Sequence, residues 1–356
     1  MNNDSLALAL DRFSFYAKDA MLSLTQCICK PDATLKINGR SYKIEKLLGE
    51  GGFSFVYLVQ DTSSGRKFAL KKILITSGPE GVAEAMKEVE AYRRFRHPNI
   101  IKILDSAVVQ DPAGEGKIIY LFLPYYSQGN LQDTMTRSSI SGEPLSDQRI
   151  LQIFLQTCMA VEAMHRYRLP STSAYPPAQS NSGELDPVFD GDEDLQGADA
   201  GEMIPYAHRD IKPGNIMLAD DGSAILMDFG STVKARIPIE TRQQALLQQD
   251  LAGEQSTMPY RAPELFDVRT GTTLDEKVDI WSLGCTLFAI RYGRSPFEID
   301  GSSIAMAAGS GRYTHPPGAS RILVGLIDKI LVVDPTHRPD IEGVIALTKK
   351  AIQEMT

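Results

Sequence analysis

The run His208 to Leu218, HRDIKPGNIML, followed after a short polar turn by Asp228, Phe229 and Gly230, decides how this chain is read. Taken as chemistry, it is a set of parts for moving a phosphoryl group. Such a transfer asks little covalent work of a protein, so a catalyst mostly positions the reactants and neutralises charge spread over a triphosphate. Asp210 is placed to meet an incoming hydroxyl. Lys212, two residues on, points the same way as Asp210 in an extended loop and can offset charge on the transferred group. Asn215 and Asp228 offer the hard oxygen ligands that Mg2+ takes. A chance match in a surface loop accounts for His-Arg-Asp alone, but not for Lys212, Asn215 and Asp-Phe-Gly in register with it.

With 356 residues and a hydrophobic fraction of 43%, the chain can hold two domains, or one large two-lobed one, around a sizeable core. A formal net charge of -8 argues against a nucleic-acid-binding surface as its main business. Cys27, Cys29, Cys158 and Cys285 make no disulfide framework; the last two sit in apolar helical surroundings, where buried free thiols are common. No apolar run reaches the roughly 18 residues of a membrane-spanning helix, and the first residues lack the basic patch and apolar stretch of a signal peptide.

Leu6, Leu10, Phe13, Met21 and Leu24 approximate one helical face, which reads equally as a weakly amphipathic helix or a frayed terminus. Cys27 and Cys29 in TQCICKP can carry reversible S-palmitoyl groups, and two such chains anchor stably where one is marginal; the alternative is two unmodified thiols. Asn2 follows Met1, so N-myristoylation, which needs glycine there, is not expected.

From Tyr42 onward short alternating apolar runs indicate strands. In KLLGEGGFSFVYLV, Gly49 and Gly51 fall in a turn between two of them, where missing side chains let backbone N–H groups approach phosphate. VAEAMKEVEAYRRF has helical spacing. LSDQRILQIFLQTCMAVEAMHRYR begins at a Ser146 cap as the first long helix of a helical lobe. Residues 166–205, rich in proline, serine, glycine and acid, cannot bury enough apolar area to offset chain entropy, so a disordered insertion with closely spaced ends is expected. In the segment 228–264, TRQQALLQQDLAGEQ has good helix formers and a patch of Leu246, Leu247 and Leu251; it reads as an extra helix, the alternative being a flexible loop with incidental leucines. DIWSLGCTLFAI reads as a buried helix carrying Asp279 and Trp281.

Together these motifs resemble a eukaryotic serine/threonine protein kinase domain over residues 42 to about 350. More narrowly, GEGGFSFVYLV, HPNI, the helical activation segment and YRAPELF resemble the Numb-associated kinase family. The Cys-x-Cys before the domain is similar to its lipid-anchored branch, the serine/threonine kinase 16-like and fungal vacuolar-membrane kinases. The resemblance implies an α+β, bilobal fold, with a small, mainly antiparallel β lobe carrying one key helix and a larger helical lobe. It divides the chain into a membrane-anchoring segment 1–41, a small lobe and hinge 42–126, and a large lobe 127–356 with the insertion 166–205 and the helical activation segment 228–264. Three departures stand out: Ser54 replaces the third loop glycine, the branch's myristoylated glycine is missing, and the insertion belongs to no general kinase pattern.

The resemblance also assigns roles. ATP is expected at Leu48, Gly49, Gly51, Val56, Ala69, Lys71, Glu88, Leu123, Tyr125, Tyr126 and Met217, with Mg2+ on Asn215 and Asp228. Val56 and Ala69 roof the adenine, Lys71 meets the α- and β-phosphates, and Glu88 pairs with Lys71, Glu90 being the runner-up. Leu123 guards the back of the pocket. Pro124 has no donor, so Tyr125 and Tyr126 must read the base edge. Asp210, Lys212 and Lys71 carry catalysis, Thr257 braces Asp210 and Lys212, and Arg338 pairs with Glu264 in the core. The implied function is transfer of the ATP γ-phosphoryl group to serine or threonine of protein substrates, the enzyme itself included. It would act on the cytoplasmic face of a Golgi or vacuolar membrane reached through acylated Cys27 and Cys29. A nucleotide-binding pseudokinase scaffold is the competing class. A small-molecule kinase is disfavoured by Thr257 and by Ala262, Pro263 and Glu264, which build a shelf for a protein substrate.

Overall fold

A computed structural model describes residues 34–51, 54–75, 78–111, 116–169, 201–298, 301 and 303–355. Cys27, Cys29 and the expected amphipathic helix lie outside the described residues. The chain falls into two compact units, one of residues 1–82 and 103–125, the other of 83–102 and 126–356. Among the described residues no helix is long and apolar enough to cross a membrane.

The first unit is a six-stranded antiparallel sheet of β1 (Thr34–Ile37), β2 (Arg40–Glu50), β3 (Ser54–Asp61), β4 (Lys67–Ile75), β5 (Asp105–Gln110) and β6 (Lys117–Pro124), in the order β1-β2-β3-β4-β6-β5. Period-two alternation sends Tyr42, Tyr57, Val59, Phe68, Leu70, Tyr120 and Phe122 to one face, where they form an aromatic core with the Tyr42 and Phe122 rings 4.8 Å apart. Strand β1 corrects the expected boundary at residue 41. Its Ile37 joins this core, and Asn38 and Gly39, at φ 48° and 73°, make the left-handed turn into β2. Asn38 Nδ2 then donates to Asp105 Oδ2 at 3.1 Å, so the turn at one end of the sheet meets the strand at the other. Residues from Thr34 onward therefore belong to the folded sheet, where Ile37 packs with the Tyr42 and Phe122 rings.

Helix α1 (Gly78–Arg94), which belongs to the second unit from residue 83, leads into a segment that docks through Asn99, whose amide donates to Ala224 O at 2.8 Å, and through Ile101 N, which donates to Leu226 O at 2.9 Å. Tyr92 and Phe95 on α1 pack against Phe229 with ring centroids 5.0 and 5.8 Å away. These contacts explain why residues 83–102, expected in the small lobe, belong to the second unit. The helices α2 (Leu131–Ser141) and α3 (Asp147–His165) follow, with Ser146 Oγ capping α3 by accepting from Arg149 N at 3.2 Å. At the centre lies α6 (Lys277–Tyr292), buried from Val278 to Ile290, with Trp281 stacked on Phe297 at 5.0 Å. Cys158 and Cys285 are wholly buried, and burial pushes both thiols well above the usual range, so neither is a ready nucleophile.

The expected insertion is narrower than 166–205. Arg168 pairs antiparallel with Met203, Leu169 N donates to Glu202 O at 3.0 Å, and Ile204 N donates to Tyr167 O at 2.9 Å. Tyr167 packs edge-on to Phe95 and Tyr206 at 5.6 and 5.7 Å, an apolar anchor that a composition average over the whole stretch conceals. Gly201 lies so close to Leu169 that an added Cβ would run into its carbonyl, so the two ends meet; residues 170–200 lie outside the described residues. Replacing 170–200 by an Asn-Gly turn is expected to keep the thermal midpoint within a few degrees and peptide phosphorylation within a few-fold, because a long closed loop costs only about (3/2)RT ln n. Loss of activity at every salt concentration would show the segment to be structural. A difference that appears only at low ionic strength would show its acids steering basic substrates.

Candidate active site

The loop 208–215 is pinned at both ends. Strand β7 (Tyr206–Ala207) enters it, paired with β10 (Val233–Lys234), and β8 (Ile216–Leu218) leaves it, paired with β9 (Ala224–Leu226). From beneath, the fully buried Asp279 of α6 holds its backbone: Oδ2 accepts from His208 N at 2.7 Å and from His165 Nε2 at 2.9 Å, and Oδ1 accepts from Arg209 N at 2.8 Å. These bonds support Arg209 in the left-handed region, φ 67°, which costs a non-glycine residue about 1–3 kcal/mol. Burial pushes the Asp279 carboxyl up. The hydrogen bond and charge of His165, the charge of His208 and the Arg209 N–H outweigh it and hold the carboxyl below its ordinary value.

Above this support, Asp210 is held on several sides. Its Oδ2 lies 2.7 Å from Lys212 Nζ and 3.1 Å from Asn215 Nδ2, and Oδ1 accepts from Thr257 N at 2.9 Å. Lys212 Nζ also donates to Thr257 Oγ1 at 2.6 Å, which closes a ring through Asp210, Lys212 and Thr257. The Asp210 side chain is only 10% exposed, so these charge-assisted bonds act in a poorly hydrated setting where they orient strongly. Of the residues singled out in the sequence, Asp210, Lys212, Asn215 and Thr257 are thus brought together here. Asn215 Nδ2 donates as well to Asp210 O at 2.8 Å, so its amide nitrogen is committed and its oxygen is the atom left for a cation.

Thr257 reaches Asp210 because α4 (Arg242–Gln255) precedes it. Thr241 caps α4 by accepting from Gln244 N, and the Gln244 side chain accepts from Thr241 N, so the helix starts on a capping box. Its buried face is not the leucine patch. Ala245 and Ala252 are buried, whereas Leu246 and Leu247 are 50% and 55% exposed. Small side chains line the buried face, Leu246 and Leu247 point outward, and Leu251 is half-buried. Within α5 (Pro263–Phe266), Glu264 takes a bidentate pair from the wholly buried Arg338 at 2.8 and 3.2 Å, and Arg338 also donates to Val332 O, Lys277 O and Val333 O. With its donors distributed this way, that buried guanidinium is well satisfied.

In the first unit the face opposite the aromatic core collects the expected nucleotide residues. Cross-strand pairing sets Gly49 beside Val56, Val56 beside Lys71, and Ala69 beside Leu123. Lys71 and Leu123 are buried, Val56 and Ala69 half-buried, and Leu48 is 39% exposed. Gly51 N donates to Ser54 O at 2.8 Å, closing the tight turn in which Ser54 stands. Tyr125 ends this unit, and the chain returns to the second at Tyr126, whose carbonyl accepts from Gly129 N at 3.2 Å. Met217 on β8 bridges Asn130.

Asp228 follows β9 at φ 68°, Phe229 is buried, and Gly230 lies beneath the Glu88 carboxylate, which an added Cβ would approach to 3.6 Å. Glu90, the alternative on α1, is exposed, with Arg94 at 3.9 Å. Among the described residues no group of three or more His, Cys, Asp or Glu side chains is poised to hold a metal. Asn215 and Asp228 would offer Mg2+ two protein oxygens, a donor set that this ion completes with water and phosphate. Reading by motif missed the roles of His165, Arg209 and Asp279. The available signal was Asp279 itself, an acid inside an apolar helix that has to find partners when buried.

The protein kinase domain profile matches residues 42–169 and 205–348, interrupted where the insertion lies. Serine/threonine-protein kinase ENV7 of Saccharomyces cerevisiae is 37% identical over 88% of this chain and 93% of its own length. Serine/threonine-protein kinase ppk13 of Schizosaccharomyces pombe is 36% identical over 85% and 88%. Serine/threonine-protein kinase 16 of Homo sapiens is 34% identical over 88% and 91%. With the Asp210, Lys212, Asn215 and Thr257 network built around the motif that the profile matches, the chain belongs to the protein kinase domain family.

Proposed function

We propose that this kinase transfers the γ-phosphoryl group of ATP to serine and threonine hydroxyls of proteins, itself included. The observation that carries the reading is the ring of Asp210, Lys212 and Thr257, which places a carboxylate, a cation and a threonine within hydrogen-bond distance of one another. Asp210 accepts the proton of the incoming hydroxyl, Lys212 offsets charge on the group in flight, and Lys71 holds the α- and β-phosphates. Mg2+, when bound by Asn215 and Asp228, neutralises charge on the phosphates. Leu48, Gly49, Gly51, Val56, Ala69, Leu123, Tyr125, Tyr126 and Met217 hold the nucleotide in a bilobal kinase fold. The test is incubation of the purified full-length protein with Mg-ATP labelled at the γ-phosphate and a protein acceptor, followed by phosphosite mass spectrometry. Label on serine and threonine is expected; binding of ATP without transfer would identify a pseudokinase.

The narrower placement, among Numb-associated kinases, is supported by helix α4 inside the activation segment. Attachment to the cytoplasmic face of an endomembrane rests on Cys27 and Cys29 in the sequence. Changing both to serine is expected to move the protein from the membrane pellet to the supernatant on fractionation, and either change alone to do so partially. The reason is that each buried methylene contributes about 0.8 kcal/mol and a single chain anchors reversibly. A double variant that stays in the pellet would shift the anchor to residues 1–26.

A further inference from the structure

The first unit carries a group of lysines to which phosphoryl transfer gives no role. Cross-strand register sets Lys36 beside Ser41, Lys43 beside Gln60, and Gln60 beside Lys67, all on the sheet face away from the aromatic core. A bulge at Glu45 adds one more. Ile44 pairs with Val59 in the core, yet Lys46, two residues on, pairs with Leu58 and emerges on the outer face, where unbroken period-two alternation would have turned it inward. Lys36, Lys43, Lys46 and Lys67 are all exposed. The carboxylates of these strands do not balance them. Glu45 lies 2.8 Å from Lys67 Nζ, Asp61 is buried and accepts from Ser63 N, Ser63 Oγ and Ser64 N, and Glu50 stands at the far end of β2 beside Phe55.

Lysine on an edge strand commonly blocks pairing with another chain. That accounts for Lys36 on β1, but not for Lys43, Lys46 and Lys67, whose strands are paired along both sides. Lys43 and Lys67 also stand two cross-strand rows away from Val56 and Lys71, where phosphate is expected, and Lys46 is two strands over from Ala69. The length of chain before β1 points to what this surface meets. Cys29 stands five residues before Thr34, and an extended chain of that length spans at most about 18 Å. With Cys29 acylated, β1 stays within about two Debye lengths of the bilayer, where the potential of an anionic leaflet acts on the lysines of β1 and its neighbours.

We propose that this outer face of the first unit docks on anionic phospholipid headgroups beside the acylated cysteines. The lipid chains hold the protein on a membrane, and the lysines select a negatively charged one. The geometry rests on the reading of Cys27 and Cys29 as the anchor. Each lysine near such a surface strengthens binding by about five-fold, so a few of them add substantially to one or two acyl chains.

The experiment uses full-length Cys27→Ser/Cys29→Ser protein, which has neither acylation site, in sedimentation with phosphatidylcholine vesicles with and without phosphatidylserine, at low and high salt. Binding is expected only where phosphatidylserine is present, falling steeply as salt rises. Lys36→Gln, Lys43→Gln and Lys46→Gln together are expected to weaken it by about a hundred-fold, and the three corresponding arginine changes to hold it within about three-fold. Both variants should keep the parent's melting midpoint and peptide turnover, since the changes lie on the surface. Equal binding to both kinds of vesicle would overturn the proposal. So would a glutamine variant that binds as tightly as its parent, which would move the lipid contact to residues 1–33. Absence of binding to phosphatidylserine at low salt would overturn it too, and capture of poly-glutamate by the parent but not by the glutamine variant would then give the face to an acidic protein. Should the glutamine variant fail to fold, Lys36→Gln alone, with an expected loss of about five-fold, and the salt titration decide. Acylation is read separately, from the intact mass of wild type made in eukaryotic cells. A wild type without acyl mass would remove the anchor, whereas the vesicle result alone decides the lysine face.

Discussion

Asp228→Asn is expected to abolish phosphoryl transfer while leaving the fold intact. The substitution is unusually clean at this position. Asp228 sits at φ 68°, a conformation that asparagine tolerates at least as well as aspartate, and the two side chains have nearly the same volume. What changes is charge, because an amide oxygen replaces an anionic ligand facing a divalent cation and a triphosphate. Loss of one such electrostatic contact should cost about 10²- to 10³-fold in kcat. The variant should still unfold cooperatively near the wild-type midpoint, because a substitution of nearly equal volume opens no cavity. Initial rates with labelled ATP, alongside a melting curve, check both halves. Wild-type-like turnover would remove Asp228 from the metal site, and a large loss of stability would make the lost turnover uninterpretable.

The parts of this protein that were legible in the sequence are those whose spacing is imposed by chemistry. Asp210, Lys212 and Asn215 stand two and three residues apart in one short loop, and their side chains meet there. Lys71, Ala69, Val56 and Leu123 were legible for a different reason: strand alternation with period two sends them all to one sheet face once the glycine turn sets the register. Helix α4 was legible as a helix, from helix formers and caps, but its orientation was not. Leucine is the default choice for a packing stripe, and here the neighbour beneath is polar and close, so alanine and glutamine face inward and Leu246 and Leu247 face out. The ends of the insertion failed for a related reason. Tyr167 and Met203 are single anchors within a polar stretch, and averaging composition over forty or so residues hides them. Strand β1 was overlooked because four residues, TLKI, carry too short an alternation to be told from a linker; its role becomes visible only when Ile37 is seen covering the Tyr42 core.

Asp279→Ala should produce the largest loss of stability of any single change near the site, about 3–5 kcal/mol, because it leaves His165, His208 N and Arg209 N as buried donors with no acceptor. Asp279→Asn should cost less, about 1–3 kcal/mol. One amide oxygen can still accept on the Oδ2 side, but the amide NH2 then faces Arg209 N, donor against donor. Both variants should also lose turnover beyond what their stability explains, since the Arg209 backbone they release carries Asp210 next to it. The pH dependence separates this account from a generic core defect. The folded Asp279 carboxyl lies below its ordinary value of about 3.9, so its contribution is fully present above that pH and is lost as pH falls through the depressed folded value. Urea unfolding of wild type and Asp279→Ala should therefore differ by a constant amount above about pH 5, with the gap narrowing below about pH 4. A gap that stays constant into that acid range would mean that Asp279 acts through packing and not through its charge. A variant as stable as wild type would mean that the catalytic loop finds its left-handed turn at Arg209 without the carboxylate beneath it.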